Sequence, residues 1–225
     1  ALAVFAGEFY GRPADSLKLI GITGTNGKTT TSYMLGHILN TLGHKTAILG
    51  TTGYISHSGT REAVEYTTPE PLLLHKQLSL IKESGAEFGV MEVSSQALDQ
   101  KRVYGIEFEA CVFTNLSVDH LDYHKTMQEY RDAKFKLLSM ASHRIVNADC
   151  SFFDRIVSLP GVTSFSFEKD SDFQGKNVRF PAENGRGTCF DVLYEDHTYN
   201  LEISLPGIFN AYNALSAFST ACMLG

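Results

Sequence analysis

From Leu17 onward, short apolar runs alternate with longer stretches whose apolar residues recur at helical spacing, the signature of a parallel sheet covered by helices. The runs "LKLIGI" (17–22), "KTAILG" (45–50), "EFGVMEV" (87–93), "EACVFTN" (109–115), "HRIVNAD" (143–149) and "VTSFSF" (162–167) predict six strands. Between them the spacing predicts helices from Thr29 to Leu42, from Pro69 and Pro71 to about Ser84, from Thr126 to Ala141, and a short one from Phe152 to Leu159. After Asp170 the texture changes. "GTCFDVLYEDHTYNLEISL" alternates apolar and polar residues behind the turn-like "ENGRG", which predicts an antiparallel meander, a small sheet at one edge. A final helix, Phe209 to Leu224, returns to the α/β layer, and Leu2 to Phe9 reads as a helix-like run ahead of the first strand.

Composition narrows the class. A chain of 225 residues with 43% hydrophobic content can bury one large core. Its net charge of −6 gives no basic patch to make nucleic acid a partner. Four cysteines lie tens of residues apart without a CxxC pair, which argues against a zinc knuckle or a disulfide framework and for a reducing cytoplasm. No apolar run approaches the roughly 18 to 20 residues of a membrane span, and "ALAVFAGEFYG" lacks the basic start and cleavage pattern of a signal peptide. Because the chain opens inside an apolar run and stops at "FSTACMLG", it reads as an excised domain.

The strongest chemical signal is "TGTNGKTT" between the first strand and the helix behind it. A phosphate loop needs free backbone N–H groups, a helix N-terminus and a lysine for the outer phosphates. Gly24 and Gly27 allow the tight backbone, Lys28 is the cation, and Thr29 offers a hydroxyl to Mg²⁺. The usual spelling would put glycine where Ile22 stands, and no guanine-reading NKxD motif is present. The fold class is therefore α/β of phosphate-loop type, a mainly parallel sheet flanked by helices.

In such sheets ligands sit at the carboxyl ends of the strands. Glu92 and Asn115 arrive at that rim, and an acid there is a natural Mg²⁺ partner. "NLSVDHLDYH" packs Asp119, His120, Asp122 and His124 into six residues, which suits a metal site, a base with its orienter, or a polar loop with caps. An imidazole joined to Asp119 near Mg²⁺ is the preferred reading, since zinc would need further ligands at the right spacing. Lys134 falls within the stripe Met127, Tyr130, Leu137, Leu138, Ala141. A lysine there either snorkels, pairs with charge, loses its proton or is chemically modified.

Together "GITGTNGKTT", "EYTTPEPL", "MEVSSQALDQKRV", "FTNLSVDHLDYHKTMQEYRDAKFKLL" and "LPGIFNAYNALSAF" resemble, in this order, the central ATP-binding domain of the Mur ligases, most specifically the MurE or tripeptide-synthetase branch. The resemblance covers nearly the whole chain. It implies a cytoplasmic bacterial enzyme of peptidoglycan synthesis, and so of cell-wall biogenesis, cell shape and division. ATP would phosphorylate the D-glutamyl carboxylate of UDP-MurNAc-L-Ala-D-Glu, and the amine of meso-diaminopimelate or L-lysine would displace phosphate. "DHLDYH" leans towards diaminopimelate by resemblance.

By the same resemblance the loop Gly24, Thr25, Asn26, Gly27, Lys28, Thr29 and Thr30 holds ATP phosphates, and Asn115, Asn210 and Asn213 complete the nucleotide site. The resemblance also implies that Thr29, Glu92, His120 and Lys134 would hold two Mg²⁺ ions, with Lys134 carried as a carbamate, and that Lys28, His120 and Lys134 would be catalytic. Thr67, Thr68, Ser94, Gln100 and Arg102 hold the UDP-MurNAc-dipeptide. Many relatives have histidine where this chain has Gln96. Residues 1–16 would be a remnant of an N-terminal UDP-binding domain or linker, and 17–225 the central domain. Without a C-terminal amino-acid-binding domain these residues alone would not complete a ligation. A monomer is expected. The competing readings are another Mur ligase, folylpolyglutamate synthetase, or a non-catalytic phosphate-loop module.

Overall fold

The computed structural model of the chain describes residues 1–63, 65–180 and 187–225, so all of "ENGRG" except Gly187 lies outside the described residues. Eleven strands form one sheet. They are β1 (Lys18–Thr23), β2 (Thr46–Gly50), β3 (Gly53–Ile55), β4 (Arg61–Glu62), β5 (Phe88–Glu92), β6 (Phe108–Phe113), β7 (Ala141–Asn147), β8 (Val162–Ser166), β9 (Phe173–Arg179), β10 (Thr188–Tyr194) and β11 (His197–Ile203). Their order is β11-β10-β9-β8-β7-β6-β1-β5-β2-β3-β4. From β2 to β9 neighbours run parallel; the pairs β2–β3, β3–β4, β9–β10 and β10–β11 are antiparallel.

The helices are α1 (Leu2–Phe9), α2 (Lys28–Thr41), α3 (Pro71–Glu83), α4 (Ser95–Asp99), α5 (Leu121–His124), α6 (Met127–Phe135) and α7 (Ile208–Leu224). Strand side chains alternate between two cores because their directions repeat every second residue. Leu19, Met91, Cys111 and Phe113 join Leu74, Leu78 and Ile81 of α3 on one face. Ile20, Ile22, Val90 and Val112 join Leu35 and Leu39 of α2 and Leu215 of α7 on the other. Burial on both faces explains why these strands read as continuous apolar runs. Ahead of them, α1 packs on α3.

All six predicted strands are present, and the expected meander extends the same sheet, because β9 begins where β8 ends and pairs with it through Phe165–Phe173 and Ser166–Gln174. Two helices are shorter than the pattern predicts. The amides of Lys136 and Leu137 bond to Ala133 and Lys134, three residues back, so α6 tightens after Phe135. Leu138–Met140 forms a 3-10 turn, and Ala141 already pairs with Phe108. Likewise only Phe153–Arg155 of the Phe152–Leu159 segment forms a 3-10 turn. The hairpin strands β3 and β4 and the short α4 and α5 carry no period long enough to read.

Candidate active site

The carboxyl ends of five parallel strands meet at one rim. β1 delivers the glycine loop, β2 delivers Thr51, β5 ends on Glu92, β6 leads into Thr114 and Asn115, and β7 ends on Asn147. The loop is tied down from β6: Thr25 N donates to Asn115 O at 3.0 Å and Asn26 N to Asn115 Oδ1 at 2.9 Å, while Asn115 Nδ2 and Thr114 Oγ1 donate to Asn26 O at 2.9 and 2.7 Å. This contact requires Gly24, whose φ is +148° and whose added Cβ would stand 2.0 Å from Thr114 Oγ1. The first intrahelical bond of α2 runs from Thr31 N to Gly27 O. The preceding helix-start amides, Lys28 to Thr30, therefore lack partners inside the helix, which is the arrangement that binds anions.

Two lysines converge on one carbonyl. Lys28 Nζ donates to Gly24 O at 2.9 Å and to Thr25 O at 3.0 Å, and Lys134 Nζ donates to the same Gly24 O at 2.8 Å. Lys134 is 1% exposed, and its Nζ lies 4.6 Å from the centre of the Tyr130 ring. Burial first, and the Lys28 charge second, push its ammonium down to about 6, against the pull of Asp119. Burial also lowers Lys28, with Glu92 and Asp119 opposing. Tyr130 hydrogen-bonds Thr25 Oγ1 at 3.2 Å, so α6 is fastened to the loop beside Lys134.

Glu92 is 1% exposed and is surrounded by neutral donors. Thr29 Oγ1 lies 3.0 Å from both of its oxygens, Thr51 N 2.9 Å from Oε1, and Thr51 Oγ1 3.2 Å from Oε2. Among the described residues no lysine, arginine or histidine forms an ion pair with it. His120 has φ +51° and donates its backbone N–H to Asp119 Oδ1 at 2.8 Å; its ring Nε2 stands 3.7 Å from Asp119 Oδ2. Among the described residues no three His, Cys, Asp or Glu side chains gather as a ready metal cluster. A cation here would be held by one carboxylate, a hydroxyl and ligand oxygens, a set that suits Mg²⁺.

The residues read as substrate contacts form a second group on the same side. Thr68 Oγ1 donates to Glu92 O at 3.0 Å and accepts from Ser94 N at 3.0 Å, and Thr67 Oγ1 meets Thr51 Oγ1 at 3.0 Å. Ser94 caps α4 through Ala97 N. Arg102 is engaged through all three nitrogens: Nε and Nη2 donate to Gln100 Oε1 at 2.8 and 2.6 Å, Nη1 donates to Thr68 O at 2.8 Å, and Nη2 pairs with Glu70 at 2.9 Å.

Beside the loop lies a cavity of about 490 Å³, lined among others by Asn26, Asn115, Asn147, Phe209, Tyr212 and Asn213. Asn213 also closes on the loop, since a Cβ on Gly27 would stand 2.2 Å from its Oδ1. Asn210 is not in the lining; it bonds Pro206 O at 2.8 Å and Asn213 Nδ2 at 3.4 Å. Thr51, Thr114 and Asn147 escaped the sequence reading, although the strand-end rule that found Glu92 points to them equally. Phe209, 82% exposed at this cavity, had no signal, because it reads as one more apolar position of the last helix.

The profile of the Mur ligase middle domain matches residues 22–221. The chain belongs to the Mur ligase family. Among its curated relatives are UDP-N-acetylmuramoyl-L-alanyl-D-glutamate–2,6-diaminopimelate ligases from Clostridium perfringens, 40% identical over 98% of this chain and 46% of the relative, and from Clostridium tetani, 40% identical over 99% and 45%. A solved structure of a ligase with that name superposes with a TM-score of 0.84 at 29% identity, over 93% of this chain and 44% of that one. Folylpolyglutamate synthetase from Lactobacillus casei shares the fold, with a TM-score of 0.76 at 14% identity over 98% of this chain and 61% of that one. The chain spans about half the length of these curated Mur ligase relatives. Among its described residues no helix is long and apolar enough to cross a membrane.

Proposed function

We propose that the protein acts as an ATP-dependent ligase adding a third amino acid to UDP-MurNAc-L-Ala-D-Glu, with this chain as its ATP-binding middle domain. On this reading residues 17–225 are that domain, and 1–16 are a remnant of a UDP-binding domain or a linker. Meso-diaminopimelate is favoured over L-lysine by the names of the relatives at 37 to 40% identity. The observation that carries the reading is the convergence of Lys28 and Lys134 on Gly24 O, beside a buried Glu92 that forms no ion pair among the described residues.

A carboxylate is a poor electrophile for an amine, and phosphorylation gives it a leaving group. The γ-phosphoryl of ATP passes to the D-glutamyl carboxylate, ADP departs, and the incoming amine attacks the acyl carbon. The tetrahedral adduct then expels phosphate and leaves the amide. This chain's task is to bring two anions together and hold the developing charge. The helix-start amides of α2 and Lys28 hold the β- and γ-phosphates, and the cavity beside Asn213 and Phe209 receives the base.

Thr29 donates its hydroxyl hydrogen to Glu92, which leaves the hydroxyl lone pairs free, so the two residues fit Mg²⁺. His120 and Lys134 serve a second site. Bound Mg²⁺ would neutralise phosphate oxygens and favour in-line transfer. Lys134 fits a carbamate, because an amine depressed to about 6 is neutral at pH 7 and can attack CO₂. The N–C bond forms, one amine proton leaves, and an anion then faces Lys28 in place of a second cation. The reading places the protein in the bacterial cytoplasm, as a monomer, in cell-wall synthesis, cell shape and division.

The decisive experiment is amino-acid-dependent phosphate release by the full-length protein supplied with ATP, Mg²⁺ and UDP-MurNAc-L-Ala-D-Glu. Stimulation by diaminopimelate is expected. If no amino acid stimulates release, the ligase reading fails.

A further inference from the structure

We propose that Gln96 is the positioning residue for His120, fixing the orientation and tautomer of its imidazole through a hydrogen-bonded line that runs His124, Ser95, Gln96, His120. The contacts are His124 Nε2 to Ser95 Oγ at 2.9 Å, Ser95 Oγ to Gln96 Oε1 at 3.2 Å, and Gln96 Nε2 to His120 Nδ1 at 3.3 Å.

Direction along the line follows from what each group can give. A carboxamide accepts only at oxygen and donates only at nitrogen. Ser95 gives its one proton to Gln96 Oε1, so its oxygen receives the Nε2–H of His124. The Gln96 amide nitrogen donates to His120 Nδ1, so a neutral His120 carries its hydrogen on Nε2, the nitrogen facing Asp119. The far end of the line is anchored. His124 and Ser95 are 4% and 1% exposed, and the His124 ring packs 5.3 Å from Tyr130. His120 itself sits on a partly exposed loop, its ring touched by the Tyr130 edge at 5.7 Å, by Asp119 and by Gln96. Gln96 is thus its hydrogen-bonded link to the buried framework, beside the packing of the Tyr130 ring.

The consequence rests on the reading that His120 serves Mg²⁺ and phosphate. With hydrogen on Nε2 the ring is a donor to an anion. To lend the Nε2 lone pair to a cation, the hydrogen must sit on Nδ1 and Gln96 must present its carbonyl. Ser95 can follow, accepting from the amide nitrogen and donating to His124 Nε2. Gln96 therefore gives His120 two defined states, and a glutamate there would give one.

The test is long-range proton–nitrogen NMR of the chain labelled with ¹⁵N-histidine, at pH 8 and without metal. His120 is expected as the Nε2–H tautomer in the wild type, with a hydrogen gained on Nδ1 in Gln96→Glu, whose carboxylate only accepts, and as a mixture of tautomers in Gln96→Ala. The backbone amide spectrum reports whether each variant keeps the fold, and Gln96→Glu, nearly isosteric, carries the test if the alanine variant does not. One unchanged tautomer in all three proteins overturns the proposal. In the full-length ligase, Gln96→Ala is expected to lower kcat about tenfold with the KM for ATP unchanged; an unchanged kcat overturns the positioning role. Absence of amino-acid-dependent phosphate release in the wild type would sink the ligase reading instead, leaving the tautomer result standing.

Discussion

Glu92 and Asp191 are both hydrogen-bonded carboxylates in the same sheet, Glu92 held by neutral donors and Asp191 by two asparagines with the Arg179 guanidinium at 3.3 Å, yet they belong to regions built for different ends. Glu92 closes a parallel strand, and the parallel strands β1, β2, β6 and β7 end at the same rim with their own polar residues. Asp191 sits within the antiparallel ribbon, where Asn177 Nδ2 and Asn200 Nδ2 donate to it at 2.7 and 2.8 Å from the two flanking strands. None of the candidate site residues lies on β9, β10 or β11. Strand direction is what separates them: parallel strands bring successive chain segments to one edge, whereas a meander sends every other strand end away. A hydrogen-bonded carboxylate therefore signals a site only where the topology gathers partners around it.

The comparison breaks most visibly at Lys134. In the full-length protein Lys134→Ala is expected to lower ligation at least about 100-fold, with partial rescue by bicarbonate. Wild-type turnover in that variant without bicarbonate would remove the carbamate from the mechanism. Lys28→Ala should come next, weakening ATP use by about tenfold or more. An ATP dependence equal to that of the wild type would take the glycine loop out of the site.

A third test uses stability. The Lys134 ammonium lies at about 6 in the folded chain and returns to 10.5 on unfolding. Between those values the unfolded chain binds a proton that the folded chain does not, so stability rises with pH across that window. Below about 6 both states hold the proton and the fold bears the whole cost of a buried cation. Lys134→Met removes that cost. In bicarbonate-free buffer its melting temperature should exceed that of the wild type most at pH 6 or below, by at least about 6 °C, since a shift of this size corresponds to several kcal/mol and about 2 kcal/mol already moves the midpoint that far. The gap should shrink towards pH 9. A gap independent of pH would mean that Lys134 finds a charged partner or water in the fold.

Much of this was legible in the sequence, for identifiable reasons. The central strands are buried on both faces, so β1, β5 and β6 stood out as apolar runs, and a lysine within an apolar stripe marked Lys134. The strand-end rule found Glu92 and Asn115. What escaped was of two kinds. β3, β4, α4 and α5 are too short to show a period, and α6 stops at Phe135 because tertiary pairing of Ala141 overrides the helical pattern. The second kind is prior engagement: Asn115, which lines the cavity, also braces the glycine loop, and Arg102 already bonds Gln100, Thr68 and Glu70. Residue type shows what a side chain can bond, and only the fold shows what has already engaged it.

The smallest effect should come from the ribbon. Asp191 flanks a bulge, where Asn177 adopts φ +51° and two residues of β9, Asn177 and Val178, stand against Phe190 alone on β10. Its hydrogen bonds from Asn177, then from Asn200, hold its carboxyl below the usual range, with Arg179 adding to the effect. The folded value being the lower one, this stabilisation is present above the ordinary aspartate range and is lost as pH falls through the folded value. Asp191→Asn should therefore lower the melting temperature at pH 7 by about 2 °C or less. The difference from wild type should narrow as pH falls beneath the ordinary aspartate range and the wild-type carboxyl takes up its own proton. ATP affinity should not change. If it fell as it does in Lys28→Ala, the ribbon would be part of the site and the division between rim and ribbon would be wrong.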